Sequence, residues 1–231
     1  MANILLIQPN KWGRGITSIW IPSHAAALKN AGHDVTLFDC TFYKDWTLNE
    51  IQYNTKNEQY VPTDYLNYVK YNENNIFEDL QKKIDAFKPD IIFCSGLSSH
   101  IHGEGEYVNI QYGNELLKKI KTNAIKIAGG LQPTAKPEIL YEKFPDLDYF
   151  IGGESEIVLV ELANTKSDIK NFENTKGLIK NNNGKTIINY PQEIISDMDI
   201  ISAYDYSVFE DQVFYRAYNG KVLKAVDYEL S

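Results

Sequence analysis

Short apolar runs alternate with amphipathic stretches along most of this chain, and that alternation predicts an α/β architecture. Asn3-Ile-Leu-Leu-Ile7 is an unbroken apolar run ended by Gln8-Pro9-Asn10, the pattern of a strand buried on both faces. A Gly-bearing loop leads to His24-Ala-Ala-Ala-Leu-Lys-Asn-Ala31, expected as a helix with Ser23 as its N-cap and Gly32 just past its end. Val35 to Asp39 reads as the second strand, parallel to the first because a helix connects them. Apolar residues at 76, 77, 80, 84 and 87 form a helical stripe stopped by Lys88-Pro89. Strands are then predicted at 91–95, 124–128 and 149–151, with helices at about 108–121, 137–143 and 157–163. The expectation is a flavodoxin-like, Rossmann-type sheet of five parallel strands with helices on both faces. The pattern changes after about residue 166, where Gly177 to Tyr190 gives two strand-like runs across Asn183-Gly184, a hairpin signal read as a C-terminal β-hairpin appendage. Residues 197–206 read as a linker, and 213–230 hold two more strand-like runs around Asn219-Gly220. The domain division expected is therefore 1–165 and 166–231. Residues 41–75 form a polar, aromatic-rich insertion longer than an ordinary connection, which suits a lid or an interaction surface.

Charge narrows the function. With 23 Lys and Arg against 31 Asp and Glu the formal charge is -8. Such a field repels nucleic-acid phosphates and anionic lipid, so neither is an expected partner. No apolar stretch approaches the roughly 20 residues that span a bilayer, and the first ten residues lack a signal-peptide pattern, so a cytoplasmic location is expected. The two cysteines, Cys40 and Cys94, sit beside or within apolar runs and read as buried thiols in a reducing compartment.

In an open parallel sheet the ligand crevice lies beyond the carboxyl ends of the strands. The loops there are Asn10-Lys11-Trp12, Ser95-Gly96-Leu97-Ser98-Ser99, Gly129-Gly130-Leu131-Gln132-Pro133-Thr134 and Gly152-Gly153-Glu154. Glycines let backbone approach a bulky ligand, and hydroxyls bond its polar rim. Taken singly, each loop is also an ordinary tight turn; three at one edge point to a ligand site.

Several of these segments, in order, resemble the cobalamin-binding domain of B12-dependent radical S-adenosylmethionine (SAM) enzymes. They are Ile4 to Pro9, Leu28 to Asp39, Lys88 to Ile92, Ala128 to Thr134 and Asp148 to Glu156, the last two similar to the family's Gly-Gly-x-His-Pro-Thr and Asp-Tyr-x-x-x-Gly-Glu-Gly-Glu signatures. The resemblance implies a groove for the nucleotide tail of cobalamin along 95–99 and 129–134, with the corrin across the strand ends. Gln132 stands where His is common and Ser155 where Gly is common, and the Asp-x-His-x-x-Gly motif that supplies a histidine beneath cobalt is missing. Expected site residues are thus those of the four loops, without a catalytic residue or metal ligand. His100 and His102 are open to cobalt contact, to another metal, or to plain loop polarity. His24 lies near the ligand edge, while His33 reads as structural or solvated; Glu104, Glu106, Glu154 and Glu156 read as solvated acids.

By the same resemblance the [4Fe-4S] cluster and SAM belong to a C-terminal radical SAM domain, because two cysteines more than 50 positions apart cannot form a Cys-x-x-x-Cys-x-x-Cys loop. The ending, Val226 to Ser231, resembles the strand that runs into that loop, so this chain alone is expected to be inactive. The competing reading is a flavodoxin-like FMN-binding electron carrier, weakened because 8–14 contains no hydroxyl for a phosphate; a noncatalytic interaction module is the other. A phospho-acceptor domain lacks its Asp at the end of the third strand, and a nucleotide-sugar transferase lacks an acidic metal motif and a basic clamp.

Overall fold

A computed structural model describes residues 1–11, 13, 15–47, 64–95, 107–130, 133–134, 136–189, 203–218 and 220–228. The elements are β1 (Asn3–Gln8), α1 (Trp20–Asn30), β2 (Asp34–Asp39), α2 (Ile76–Phe87), β3 (Ile91–Ser95), α3 (Tyr107–Leu117), β4 (Ile125–Gly129), α4 (Leu140–Lys143), β5 (Tyr149–Ile151), α5 (Ser155–Thr165), α6 (Ile169–Asn174), β6 (Leu178–Asn182), β7 (Lys185–Ile188), β8 (Tyr215–Tyr218) and β9 (Lys221–Lys224).

The main sheet runs β2-β1-β3-β4-β5-β6-β7, and its first five strands are parallel in the flavodoxin order. Alternation along the strands sorts their side chains to two faces. Ile4, Leu6, Ile91, Phe93 and Ile127 pack against α1 and α5, whereas Leu5, Ile7, Ile92, Cys94 and Ala128 pack against α2 and α3. Both faces are therefore apolar, as a sheet covered twice requires. Burying each such Ile or Leu is worth about 1.5–3 kcal/mol.

The Asn183-Gly184 hairpin forms as expected, with both turn residues at positive φ (52° and 84°). It is part of the main sheet: β6 pairs antiparallel with β5, Phe150 opposite Ile179 and Ile151 opposite Leu178. The physical reason is the three-residue β5, which would otherwise leave an open edge. The second hairpin, β8 with β9, forms a separate two-stranded sheet.

Helix α2 matches its apolar stripe from end to end, and the Asn75 carboxamide caps it by accepting from the N–H groups of Phe77 and Glu78. Helix α1 differs from expectation at its start. It begins at Trp20, four residues before the predicted His24, so Ser23 is not its N-cap. Pro22 suits a first turn, where its missing N–H has no bond to make, and Trp20 and Ile21 gain burial there. The far end follows expectation: Gly32 N–H donates to Lys29 O and His33 N–H to Leu28 O, a Schellman closure. Helix α6 was not legible in advance; six residues with Phe172 as the buried anchor give almost no periodicity.

Much of the 41–75 insertion that is described is packed: Phe42, Trp46, Tyr65 and Val69 are all buried. Cys40 and Cys94 are fully buried and unbridged, as expected, and burial pushes the Cys94 thiol up to about 12. His33 is buried at the opposite edge of the sheet from the strand carboxyl ends, where its Nδ1 accepts the Ala2 N–H. Among the described residues, no helix is long and apolar enough to cross a membrane.

The segment 203–228 docks on the α1 face. Phe209 and Val213 enter the core beside α1, and Lys29 Nζ lies 2.7 Å from Asp205 Oδ2. Thr17 is the hub of the far end: its N–H and hydroxyl both bond Asp227 Oδ2 (2.7 and 2.9 Å), and Arg216 Nη2 reaches the same carboxylate at 3.1 Å.

Candidate functional site

The alternation that buries Phe93 on the α1 and α5 side puts Ser95, two residues on, on that same side at the strand's carboxyl end. There a cleft of about 330 Å³ opens, lined by Ile19, Trp20, Ser23 and His24 of the α1 region, Ser95, Gly130 and Thr134, Gly153 to Glu156, and Tyr204. Its floor is aromatic. The His24 imidazole stacks on Phe93 (centroids 5.1 Å apart, planes at 23°), and Trp20 meets both rings edge-on.

The buried His24 ring is fixed at both nitrogens. Nδ1 lies 2.6 Å from the Trp20 carbonyl oxygen, which can only accept, so Nδ1 carries the proton and donates. Nε2 lies 2.8 Å from Ser155 Oγ. Beside them, the Ser23 hydroxyl donates to Glu156 Oε1 at 3.0 Å, which explains why a serine outside the cap position is buried within the helix. Burial pushes the Glu156 carboxyl up, but the His24 ring, the N–H groups of Glu156 and Ser155, and the Ser23 hydroxyl outweigh it and hold Glu156 below the usual glutamate range.

The four glycines of the two Gly-Gly pairs divide the work. A Cβ at Gly129 would lie 2.9 Å from Phe93 Cζ, and one at Gly152 would lie 3.3 Å from Ile179 Cδ1, so both are small for packing. Gly130 (φ 112°) and Gly153 (φ 84°) turn the chain at the cleft itself, and a Cβ at Gly153 would meet nothing within 4 Å. Thr134 ties the two loops together, its hydroxyl donating to Gly130 O (3.2 Å) and accepting the Gly153 N–H (2.7 Å).

Of the residues singled out in the sequence, Ser95, Gly130, Thr134, Gly153 and Glu154 come together at the cleft, joined by His24 and by Glu156, which is largely covered and bonded to Ser23 and so is not the solvated acid expected. Pro133 is buried. Asn10 turns to the β1–β2 junction, where its carboxamide donates to Thr41 Oγ1. Lys11 is held on the other face, 3.9 Å from the Trp46 ring centroid, 4.2 Å from that of Tyr112 and 3.0 Å from Glu115. Trp12, Arg14, Gly96, Leu97, Ser98, Ser99, His100, His102, Glu104, Glu106, Leu131 and Gln132 lie outside the described residues. Sequence reasoning missed Ile19, Trp20, Ser23, Ser155 and Tyr204 as lining residues. The available signal was that Ser155 opens the helix after β5, at the same edge as the Gly-Gly turn.

A second cavity of about 420 Å³ opens beside β2, lined among others by Asp39, Asp79, Lys82 and Glu210. Asp39 Oδ1 accepts from the N–H and hydroxyl of Thr41, whereas Oδ2 is sealed from solvent without a hydrogen-bond partner. Burial raises the Asp39 carboxyl to about 6, against the Thr41 bonds. The raised acid stabilises the fold fully below the unfolded value of 3.8, and that contribution is lost as pH rises through about 6. The loss amounts to about 3 kcal/mol at most. Urea unfolding at about pH 4 and about pH 6.5 is expected to show stability changing with pH more favourably in Asp39→Asn than in the wild type, because only the wild type loses the Asp39 contribution; equal changes in the two proteins would contradict it.

No protein-family model matches the chain. It is 27% identical over 136 residues to an uncharacterized methyltransferase of Pyrococcus horikoshii, covering 59% of this chain and 28% of that protein. It is 25% identical over 183 residues to the anaerobic magnesium-protoporphyrin IX monomethyl ester cyclase of Cereibacter sphaeroides, covering 77% of this chain and 24% of that one. Among solved structures it is similar to the radical SAM methyltransferase TsrM of Kitasatospora setae, with cobalamin and a [4Fe-4S] cluster bound (TM-score 0.59, 19% identity, 85% of this chain and 30% of that one). The same enzyme with tryptophan and a SAM analogue gives a TM-score of 0.57. The chain thus spans about a quarter to a third of the length of the proteins it matches. By fold, over more than four fifths of its length, it resembles a cobalamin-binding radical SAM methyltransferase, in agreement with the motifs in its sequence.

Proposed function

We propose that this chain binds cobalamin at the carboxyl edge of its parallel sheet and is the cobalamin-binding part of a B12-dependent radical SAM enzyme, a methyltransferase or an enzyme of related radical chemistry. The observation that carries the reading is the cleft itself, where Gly130 and Gly153 expose backbone, Ser95, Thr134 and Ser155 bring hydroxyls, and Trp20 and His24 make an aromatic floor backed by Phe93. Such a surface suits one edge of a flat macrocycle with polar substituents. The cleft is too small for a whole corrinoid, so the rest of the ring would lie over the strand ends. Cobalamin supplies a cobalt centre that carries and releases a methyl group or an electron.

This chain's own residues bind and orient. Thr134 fixes the spacing of the β4 and β5 loops, and the Phe93–His24–Trp20 stack holds the floor rigid. The two cysteines are buried in the opposite core, away from the cleft, so the [4Fe-4S] cluster and SAM are assigned to a radical SAM domain of the whole protein. Residues 1–165 would carry the corrin crevice and 166–231 the connection toward that domain.

The FMN reading fares worse for a local reason. A flavin phosphate needs donors in the loop after β1, but Gln8 is spent on Ile16 O, Asn10 on Thr41, and Lys11 on Glu115 and two rings. Titrating the apoprotein separately with hydroxocobalamin and FMN, by visible absorbance, decides between them. Saturable binding of the corrinoid alone is expected; saturable binding of FMN with none of the corrinoid would overturn the proposal.

A further inference from the structure

The acceptors of the cleft are placed so that they favour hydrogen-bond donors on whatever enters. The start of α5 is the first case. An 11-residue helix presents free N–H groups and a positive end that would draw an anion. Here the Glu156 carboxylate of the first turn already stands at that end, its Oε1 accepting from the Ser23 hydroxyl and lying 4.0 Å from the His24 ring on the cleft wall. That end therefore holds a negative charge, and a second anion brought to it would be repelled.

Ser155 is the second case. His24 Nδ1 is committed as a donor to the Trp20 carbonyl, so in the neutral ring Nε2 accepts and the Ser155 hydroxyl donates to it at 2.8 Å. Ser155 is 7% exposed and lines the cleft, so what it offers a ligand is the acceptor capacity of its oxygen. Among the described lining residues there is no Lys or Arg, and both nitrogens of His24 are already engaged, by the Trp20 carbonyl and the Ser155 hydroxyl.

We propose that the cleft selects a corrinoid by the carboxamide N–H₂ groups on its ring edge and discriminates against the same ring carrying a carboxylate in their place. The inference rests on the cobalamin reading above. It makes Ser155 and Glu156 specificity-determining residues, and it gives a role to the serine that stands where the resembling family commonly has glycine.

The cobalamin monocarboxylic acids, each with one side-chain amide hydrolysed, are the direct probes, since they keep the nucleotide tail and the cobalt unchanged. Absorbance titrations at neutral pH should find at least one of the b, d and e acids binding about tenfold or more weakly than hydroxocobalamin, the size expected when one new charge approaches a partly buried like charge. The ratio should shrink in high salt. It should also fall toward one in Glu156→Gln, whose side-chain oxygen can still accept from Ser23. The salt series uses the wild-type protein and so stands even where the variant folds poorly. If all three acids bind as tightly as hydroxocobalamin, this inference is wrong while the cobalamin reading stands. If hydroxocobalamin itself does not bind, both fall.

Discussion

Phe93→Ala is expected to destabilise the protein by about 3–5 kcal/mol, the range for removing a fully buried aromatic ring. Phe93 is completely buried at the centre of β3, stacks under His24, meets Trp20 edge-on, and occupies the space that the missing Cβ of Gly129 leaves. Collapse around the hole is hindered because β1, β3 and β4 are fixed by their ladders on either side. The same ring backs His24 and Trp20 of the cleft, so the loss has a second sign: His24 and Ser155 should shift, and corrinoid binding should weaken even where the variant is folded. Urea unfolding followed by circular dichroism checks the first part; a loss below about 1.5 kcal/mol would show that the ring is less well packed than described.

Gly15→Ala is the other large effect, and it acts on one segment. A Cβ on Gly15 would clash with the Val213 carbonyl oxygen and lie 2.8 Å from Arg216 Nη1, and the nearest obstacle is backbone that cannot rotate away. The 3₁₀ turn Asp211–Phe214 must move, and it carries with it Val213 and the Thr17–Asp227–Arg216 network. A cost of about 1–3 kcal/mol is expected, as for other overpacked sites. Hydrogen exchange should quicken in β8 and β9 while β1 to β5 keep their protection; unchanged exchange in the hairpin would mean that it does not depend on this contact.

What the sequence made legible was local. The α2 stripe, its stop at Lys88 and the Asn183-Gly184 turn each depend on residues within a few positions, and each forms where the pattern puts it. The parallel direction of the first five strands followed too, because a helix between strands forces a parallel crossover. Long-range partners were not legible. Ser23 resembles a cap until its acceptor, Glu156, is known to lie 133 positions away. Lys11 sits in a loop suited to ligand binding, yet Trp46 and Tyr112 claim it from two other segments. The β5–β6 pairing is equally non-local, set by an open edge that no single segment reveals. The candidate site was legible as three Gly-rich loops with His24 near their edge, while the rest of its α1 wall, Ile19, Trp20 and Ser23, became visible only once α1 was placed against α5.

The central claim is that cobalamin sits at the carboxyl edge of the parallel sheet. Hydrogen exchange read by mass spectrometry, with and without hydroxocobalamin, tests it most directly. The account predicts added protection in peptides covering Gly129–Gly130 and Gly152–Glu156, and none in those covering Lys88–Asp90 and Lys121–Ile125 at the opposite edge. Protection confined to that opposite edge, or spread evenly over the chain, would contradict it.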